Sequence, residues 1–416
     1  MDYFVFKDEE LYCEDVRVSA IAEKVGTPFY LYSASTIERH LKAYESALTG
    51  LPHLVCYAVK ANSNLAVLKL LGDLGAGADI VSGGELFRVT KAGISPQKVV
   101  YSGVGKSEHE ISMALDQGIL MFNVESFGEL KAIERLSQEK GKVAPISFRV
   151  NPDVDPKTHP YISTGLEENK FGLPVEDALR AYEYAKSSDC LAIKGISCHI
   201  GSQLTDLSPF IDALKRVLRL VDILHDKGID IEFLDMGGGL GIRYSDETPP
   251  LPEEYADALR ETLGERPITL VLEPGRSIVG NAGILVTKVL YKKETGKKAF
   301  LIVDAAMNDL ARPSLYKAHH EIVPVERGGR ESRPFDVVGP ICETGDFFAR
   351  SRELEDVEPG ALLAIRSAGA YGFTMSSNYN SRPRVAEVMA RGDHFSVVRA
   401  RETYDDLIRG EEFFHG

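Results

Sequence analysis

Between His53 and Glu273 the chain alternates short apolar or β-branched runs with amphipathic stretches, eight times over. The runs are His53–Val59, Ala78–Val81, Lys98–Ser102, Ile119–Val124, Pro145–Val150, Lys194–Ile200, Glu232–Met236 and Thr269–Glu273. Strands that alternate with helices lie parallel in one sheet, because each helix carries the chain back to the edge where the next strand starts. The helical stretches have their own start signals. Ser107 with Glu110, and Ser126 with Glu129, each fit a capping box, whose side chains satisfy unpaired N–H groups of a first turn. Ser208–Pro209 opens a run with Ile211, Leu214, Leu218, Val221 and Leu224 on one stripe, and Gly228 closes it. Eight such units favour a closed (β/α)8 barrel of the TIM type over an open doubly wound sheet. Residues 27–275 span roughly 250 positions, the usual size of that barrel. The stretch Asn151–Gly172, rich in Asp, Pro and Gly, is a loop long enough to hold an insertion over a site.

After Gly275 the rhythm changes. Ile284–Tyr291, Ala299–Val303, Ala361–Arg366, Arg384–Met389 and Phe395–Arg399 read as strands with few helical stretches between them, which predicts a second, mainly antiparallel β-domain. The first 26 residues are too short for a domain, and Tyr3–Phe6 and Leu11–Val18 look like strands. The expected β-domain is therefore built from both chain ends, 1–26 and 276–416.

The net charge of −14 over 416 residues argues against a nucleic acid or an anionic membrane as partner, since phosphate surfaces are bound by clustered positive charge. Five cysteines form no CxxC pair and no Cys/His cluster, so neither a disulfide framework nor a metal site is expected, and a reducing cytoplasm is the default. Met1–Glu10 lacks the basic start and apolar run of a secretion signal, and no stretch approaches the roughly 20 apolar residues of a membrane span.

Catalytic groups of such a barrel lie at the C-terminal ends of its strands. Strand one ends in Tyr57–Asn62 with Lys60. A lysine at an apolar strand end is poorly hydrated, which favours the neutral amine and makes it a Schiff-base candidate, although a lone lysine is ordinarily a solvated charge. Strand six ends in Cys198-His199-Ile200-Gly201-Ser202, where His199 offers a flat ring or a titrating nitrogen, or is simply a satisfied core histidine. Strand seven runs into Gly237-Gly238-Gly239-Leu240-Gly241, which exposes backbone N–H groups to a phosphate; it lacks a dinucleotide register, and a tight turn would need fewer glycines. Strand eight ends in Glu273-Pro274-Gly275-Arg276. Glu273 needs a partner in a cleft, either Arg276 or a protonated ring nitrogen. An amine, a flat ring, a phosphate loop and a carboxylate together describe pyridoxal phosphate.

At these residues a resemblance becomes plain. Tyr57–Asn62, His199–Gln203, Gly237–Gly241 and Glu273–Arg276 resemble the pyridoxal-phosphate decarboxylases of the alanine-racemase-like barrel fold, known as fold type III. Asp304–Pro313, Gly339–Asp346 and Ser367–Gly372 resemble the diaminopimelate decarboxylase branch of that family, and the likeness runs through nearly the whole chain. It implies that Lys60 holds the cofactor covalently, that His199 stacks on its ring, and that Glu273 pairs with its ring nitrogen. Ser202, Gly239, Gly275, Arg276 and Tyr371 would hold its phosphate, and Asp79, Ser82 and Glu85 near strand two would orient it or its partners.

The implied reaction is decarboxylation of meso-2,6-diaminopimelate to L-lysine and carbon dioxide, the last step of lysine biosynthesis. The non-reacting end of that substrate carries a carboxylate and an ammonium. Arg276, Arg312 and Tyr316 can take the carboxylate, Glu343 the ammonium, and Tyr371 completes the substrate set. The resemblance further implies a homodimer with shared sites, in which Cys342 and Glu343 enter from the neighbouring subunit and Cys342 serves as a proton donor. A racemase would pair the ring nitrogen with a basic group, and a decarboxylase of ornithine or arginine would have no far carboxylate to bind. A non-catalytic cofactor-binding barrel would leave the β-domain unexplained.

Overall fold

Strand His53–Ala58 pairs in parallel with Gly77–Ile80 on one side and with Thr269–Leu272 on the other, and that double pairing closes an eight-stranded barrel. The computed structural model describes residues 2–154 and 170–414. Most of the loop read at 151–172 therefore lies outside the described residues.

The remaining barrel strands are Val99–Tyr101, Met121–Val124, Ala144–Arg149, Leu191–Ser197 and Phe233–Asp235, every pairing parallel. All eight fall within three residues of the runs read from the sequence. The interior is filled, not open: Cys56, Val100, Met121 and Val271 form a buried cluster with Leu54, Leu120 and Phe233 against it. Each fully buried aliphatic or aromatic side chain contributes about 1.5–3 kcal/mol, and a filled interior leaves only the barrel's mouth for a ligand.

The helix Ser208–Asp226 buries Leu214, Leu218, Val221 and Leu224 as the stripe predicts, and Gly228 follows it with φ +69°. Glu108–Gln117 starts on the full Ser107/Glu110 capping box. Phe127–Lys140 does not complete its box. Ser126 Oγ accepts from Glu129 N at 3.1 Å, but the Glu129 carboxylate accepts from Glu125 N at 2.9 Å and from Lys106 Nζ at 2.6 Å. The carboxylate is shared between a buried lysine and the N–H one residue before the cap, and the cap's own N–H is passed over.

The chain separates into two compact units, one of 38–242 with 247–277 and one of 1–37 with 243–246 and 278–416. The first contains the whole barrel. In the second, the largest sheet runs in the order Phe347–Glu355, Ser332–Val338, Ala299–Val303, Gly283–Glu294, Phe29–Ser33, Ala386–Arg391, His394–Arg399. Leu362–Ile365 pairs with Gly283–Glu294 and with Ile322–Pro324. Most pairings are antiparallel, but Ala299–Val303 with Ser332–Val338 and Phe29–Ser33 with Ala386–Arg391 are parallel, so the sheet is mixed.

Phe29–Ser33 lies inside the expected 27–275 span, yet it pairs with Gly283–Glu294 in this sheet. All five of its residues are buried, so it shows no alternation to betray which sheet it serves. The Leu11–Val18 run also differs from its reading. The strand Glu10–Cys13 ends at Glu14, whose φ of +58° makes a turn, Val16–Arg17 pairs back, and a helix covers Val18–Val25. With Phe4–Lys7 these two strands form a separate small sheet.

Candidate active site

Strand His53–Ala58 runs into a single 3-10 turn, Val59–Ala61, whose outer residues are buried while Lys60 is left half-buried between them. Lys60 Nζ donates to Asp79 Oδ2 on the adjacent strand. Asp79 is fully buried, and its other oxygen, Oδ1, has no hydrogen-bond partner among the described residues. Beside it, Ser82 caps the helix Gly83–Lys91 through Glu85 N, and Glu85 Oε2 accepts from Val81 N at 2.7 Å. Burial pushes the Glu85 carboxyl up to about 7.

His199 follows strand six. Burial holds its ring well below the ordinary histidine range, and the Arg149 and Lys60 cations act in the same direction, so it is a neutral flat ring. Its position depends on a neighbour without a side chain: a Cβ at Gly237 would lie 2.6 Å from His199 Nδ1 and 2.9 Å from the Cys198 carbonyl. The two following glycines bring backbone against backbone. A Cβ at Gly238 would meet the Glu273 carbonyl at 2.3 Å, and one at Gly239, where φ is +119°, would meet the Gly201 carbonyl at 2.6 Å. The loop after strand seven is thus wedged between those after strands six and eight. Gly275 sits where a Cβ would come 3.0 Å from those of Ala58 and Ala61. Arg276 donates to Ser202 Oγ through Nη2 at 3.0 Å, joining the ends of strands eight and six.

Glu273 is buried at the end of strand eight and receives the Ser102 hydroxyl at 3.4 Å. Burial pushes its carboxyl well up, and the neighbouring Asp235 and Asp79 carboxylates add to the effect. Asp235 is itself pushed up to about 6 by burial, against the hydrogen bonds it accepts from Glu273, Gly237 N and Asn123.

A cavity of about 410 Å³ opens at this mouth, with Lys60, Arg149, His199, Asp235 and Glu273 on its walls. An amine, a flat neutral ring, a buried carboxyl, glycine backbone that no side chain could replace, and an orphaned Asp79 oxygen together suit pyridoxal phosphate. Of the expected cofactor residues, Lys60, His199 and Glu273 are brought to one cavity, Asp79 bonds to Lys60, and Ser202, Gly239, Gly275 and Arg276 form the adjoining loops. Sequence reasoning missed Ser102, Asn123, Arg149 and Asp235. Each is a polar residue at or beside the last position of an apolar barrel strand, and that pattern could have found them.

The remaining expected residues belong to the second unit. There Arg312 is buried, stacks 4.6 Å from the Tyr244 ring centre, donates to Tyr244 OH at 2.8 Å and lies 3.1 Å from His320 Nε2. Arg312 starts and Tyr316 ends the short helix Arg312–Tyr316, and Tyr316 is half-buried. Cys342 and Glu343 are exposed on a loop whose base is clasped by Asp346, which accepts from Met307 N and Ile341 N, each at 2.7 Å. Cys342 N donates to Asn380 Oδ1 at 2.9 Å, and Glu343 hydrogen-bonds Tyr379. Tyr371 is half-buried with φ +54°. Among the described residues no cluster of His, Cys, Asp and Glu could hold a metal ion, and no helix is long and apolar enough to cross a membrane.

Residues 34–280 match the family model described as the pyridoxal binding domain of pyridoxal-dependent decarboxylases. The chain is 57% identical over 411 residues to a diaminopimelate decarboxylase of Pseudomonas aeruginosa, covering 99% of each. Among solved structures it is similar to diaminopimelate decarboxylase of Helicobacter pylori complexed with L-lysine, with TM-score 0.91, 48% identity and coverage of 94% and 98%. The same enzyme from M. jannaschii, also with L-lysine, superposes with TM-score 0.95 at 42% identity, covering 99% and 98%.

Proposed function

Because the chain belongs to the diaminopimelate decarboxylases, within the pyridoxal-dependent decarboxylases, we propose how its own residues carry out the family's reaction. The enzyme converts meso-2,6-diaminopimelate to L-lysine and carbon dioxide with pyridoxal phosphate as cofactor. The observation that carries the residue assignment is the convergence of Lys60, His199 and Glu273 on one cavity at the barrel's mouth.

When bound, the cofactor supplies a conjugated ring that accepts the electron pair left as carbon dioxide departs. Lys60 holds it through its amine and yields that place to the substrate's amino group, while Asp79 orients Lys60. His199 lies flat against the ring. Glu273, shielded from water, faces the ring nitrogen and stabilises its protonated form, which strengthens the pull on electrons. Ser202, Gly239, Gly275, Arg276 and Tyr371 bind the phosphate.

Arg276, Arg312 and Tyr316 hold the far carboxylate, with the planar guanidinium suited to two parallel hydrogen bonds. Tyr371 joins the residues proposed for the substrate. Glu343 receives the far ammonium. Cys342 returns a proton to the carbon that lost its carboxylate, with Lys60 as the other candidate donor. Cys342 and Glu343 act from a second copy of the chain, in a cytoplasmic homodimer.

The test is a substrate panel on purified protein supplemented with pyridoxal phosphate. Carbon dioxide is measured with meso-diaminopimelate, ornithine and arginine offered separately, and release is expected from the first alone. Release from ornithine without release from diaminopimelate overturns the roles given to Arg312 and Tyr316.

A further inference from the structure

We propose that Glu125 is a positioning residue that fixes the Arg149 guanidinium on the cavity wall, where its remaining N–H groups bind an oxyanion brought in by the cofactor or the substrate. The proposal rests on the reading that this cavity holds the cofactor. Arg149 ends strand Ala144–Arg149, is 9% exposed and lines the cavity. Its Nη1 donates to both Glu125 oxygens, at 3.2 and 3.3 Å, and its guanidinium carbon lies 4.8 Å from the centre of the Phe171 ring. Among the described residues nothing accepts from its Nε or Nη2. A buried guanidinium with donors to spare on a cavity wall suits an anionic oxygen, which it holds through charge-assisted hydrogen bonds.

Glu125 is built to keep that group still. It follows strand Met121–Val124, and its side chain is 1% exposed. Oε1 also accepts from Gly103 N at 2.7 Å, beyond strand three, and Oε2 from Gly172 N at 3.1 Å. Its own backbone is fixed as well. Glu125 N donates to Glu129 Oε2 at 2.9 Å, and Glu129 also accepts from Lys106, whose side chain is fully buried and donates to the Gly103 and Asn123 carbonyls. One carboxylate thus ties the loops after strands three and five to the end of strand four. The tether matters because the same cavity carries the Asp235 and Glu273 carboxyls, acceptors toward which a freed guanidinium would swing.

Two oxyanions enter the cavity on this reading. One is the oxygen on the cofactor ring beside the aldehyde carbon, and the other is the carboxylate at the reacting end of diaminopimelate. 3-Deoxypyridoxal phosphate lacks the first, and L-lysine lacks the second. Each ligand therefore has a probe that differs from it by the group in question.

The experiment compares wild type, Glu125→Gln, Arg149→Met and the double variant. Cofactor-free protein is titrated with pyridoxal phosphate and with 3-deoxypyridoxal phosphate, and the loaded enzyme gives KM for diaminopimelate and the inhibition constant of L-lysine. In at least one pair, Arg149→Met should weaken the oxygen-bearing ligand by about ten- to a hundredfold and leave its probe unchanged, the loss of one charge-assisted hydrogen bond. The pair that responds names the oxyanion. Glu125→Gln should show the same selective loss, by about fivefold or more, and the double variant should lose no more than Arg149→Met alone. The double variant leaves no buried charge unpaired, so it reads the loss even if Arg149→Met does not fold. Equal losses for ligand and probe in the variants without Arg149, or no loss, overturn the site. Wild-type selectivity in Glu125→Gln overturns the positioning role, and so does a loss there that simply adds to that of Arg149→Met. Lys60→Ala is titrated alongside. Should it keep the absorbance of covalently held cofactor, the reading of the cavity itself fails, whatever the Arg149 variants show.

Discussion

Lys60 reaches its place because a strand with four buried residues at its end, Val55–Ala58, hands directly into a 3-10 turn. Lys60→Ala should remove the absorbance of covalently held cofactor and reduce turnover to background, and retention of either rejects the lysine's role. Glu85 gives a second prediction, in pH. Its carboxyl ionises at about 7 in the folded chain against an ordinary 4.5. Between those values the folded chain holds a proton that the unfolded chain has released, so the contribution of Glu85 to stability falls as pH rises through the window. Glu85→Gln removes that difference. Its thermal midpoint should decline less steeply than that of wild type between about pH 4.5 and 7, and parallel slopes contradict the assignment. Individual residues were legible where several unusual types stood together, as in Gly237–Gly241 or Glu273–Arg276. Asn123 and Asp235 stood alone in apolar strands, and their meaning comes from neighbours 112 positions apart in the chain that only the closed barrel brings to 2.8 Å.

At the scale of elements, the glycines after strand seven couple the loops that carry the site. Gly237 has φ +66° and no room for a Cβ, whereas Gly26, with φ +74°, has nothing within 4 Å. Alanine at either position meets backbone strain, of order 1–3 kcal/mol. Only at Gly237 must His199 and the Cys198 carbonyl also move. Gly237→Ala should therefore lower the thermal midpoint by more than Gly26→Ala, at about 2–4 °C per kcal/mol for a unit of this size. It should also weaken cofactor binding, measured by equilibrium titration, while Gly26→Ala leaves that affinity unchanged. Equal effects of the two on affinity count against the coupling. Barrel strands were legible because helices separate them at regular intervals. In the second unit Ile322–Pro324, Ser332–Val338 and Phe347–Glu355 escaped notice. Phe347–Glu355 has Arg350, Arg352, Glu353 and Glu355 among its nine residues and buries only Phe348, Ala349 and Leu354, so its sequence shows no strand-like alternation. The sheet claims it through its long antiparallel pairing with Ser332–Val338, a constraint that lies outside either segment alone.

For the molecule as a whole, the −14 charge argues against polyanionic partners but says nothing of where positive groups are concentrated. Lys60 and Arg149 lie on the walls of one cavity, beside the carboxyl groups of Asp235 and Glu273. The proposed division of labour assigns Lys60 and Cys342 to different subunits of one site, and a mixing experiment tests it. Lys60→Ala and Cys342→Ala should each be inactive as pure dimers, since every site then lacks one of the two groups. In a hybrid dimer one site collects both defects, and the other receives an intact Lys60 from one chain and an intact Cys342 from the other. After dissociation and reassociation of equal amounts, half of the dimers are hybrids and half of their sites are intact, so turnover should recover to about a quarter of wild type. The recovered activity should rise with the time allowed for subunit exchange and should vanish when exchange is blocked by cross-linking the parents first. If both variants are folded and dimeric yet their mixture stays inactive, each site draws Lys60 and Cys342 from the same chain, and the shared-site architecture is wrong.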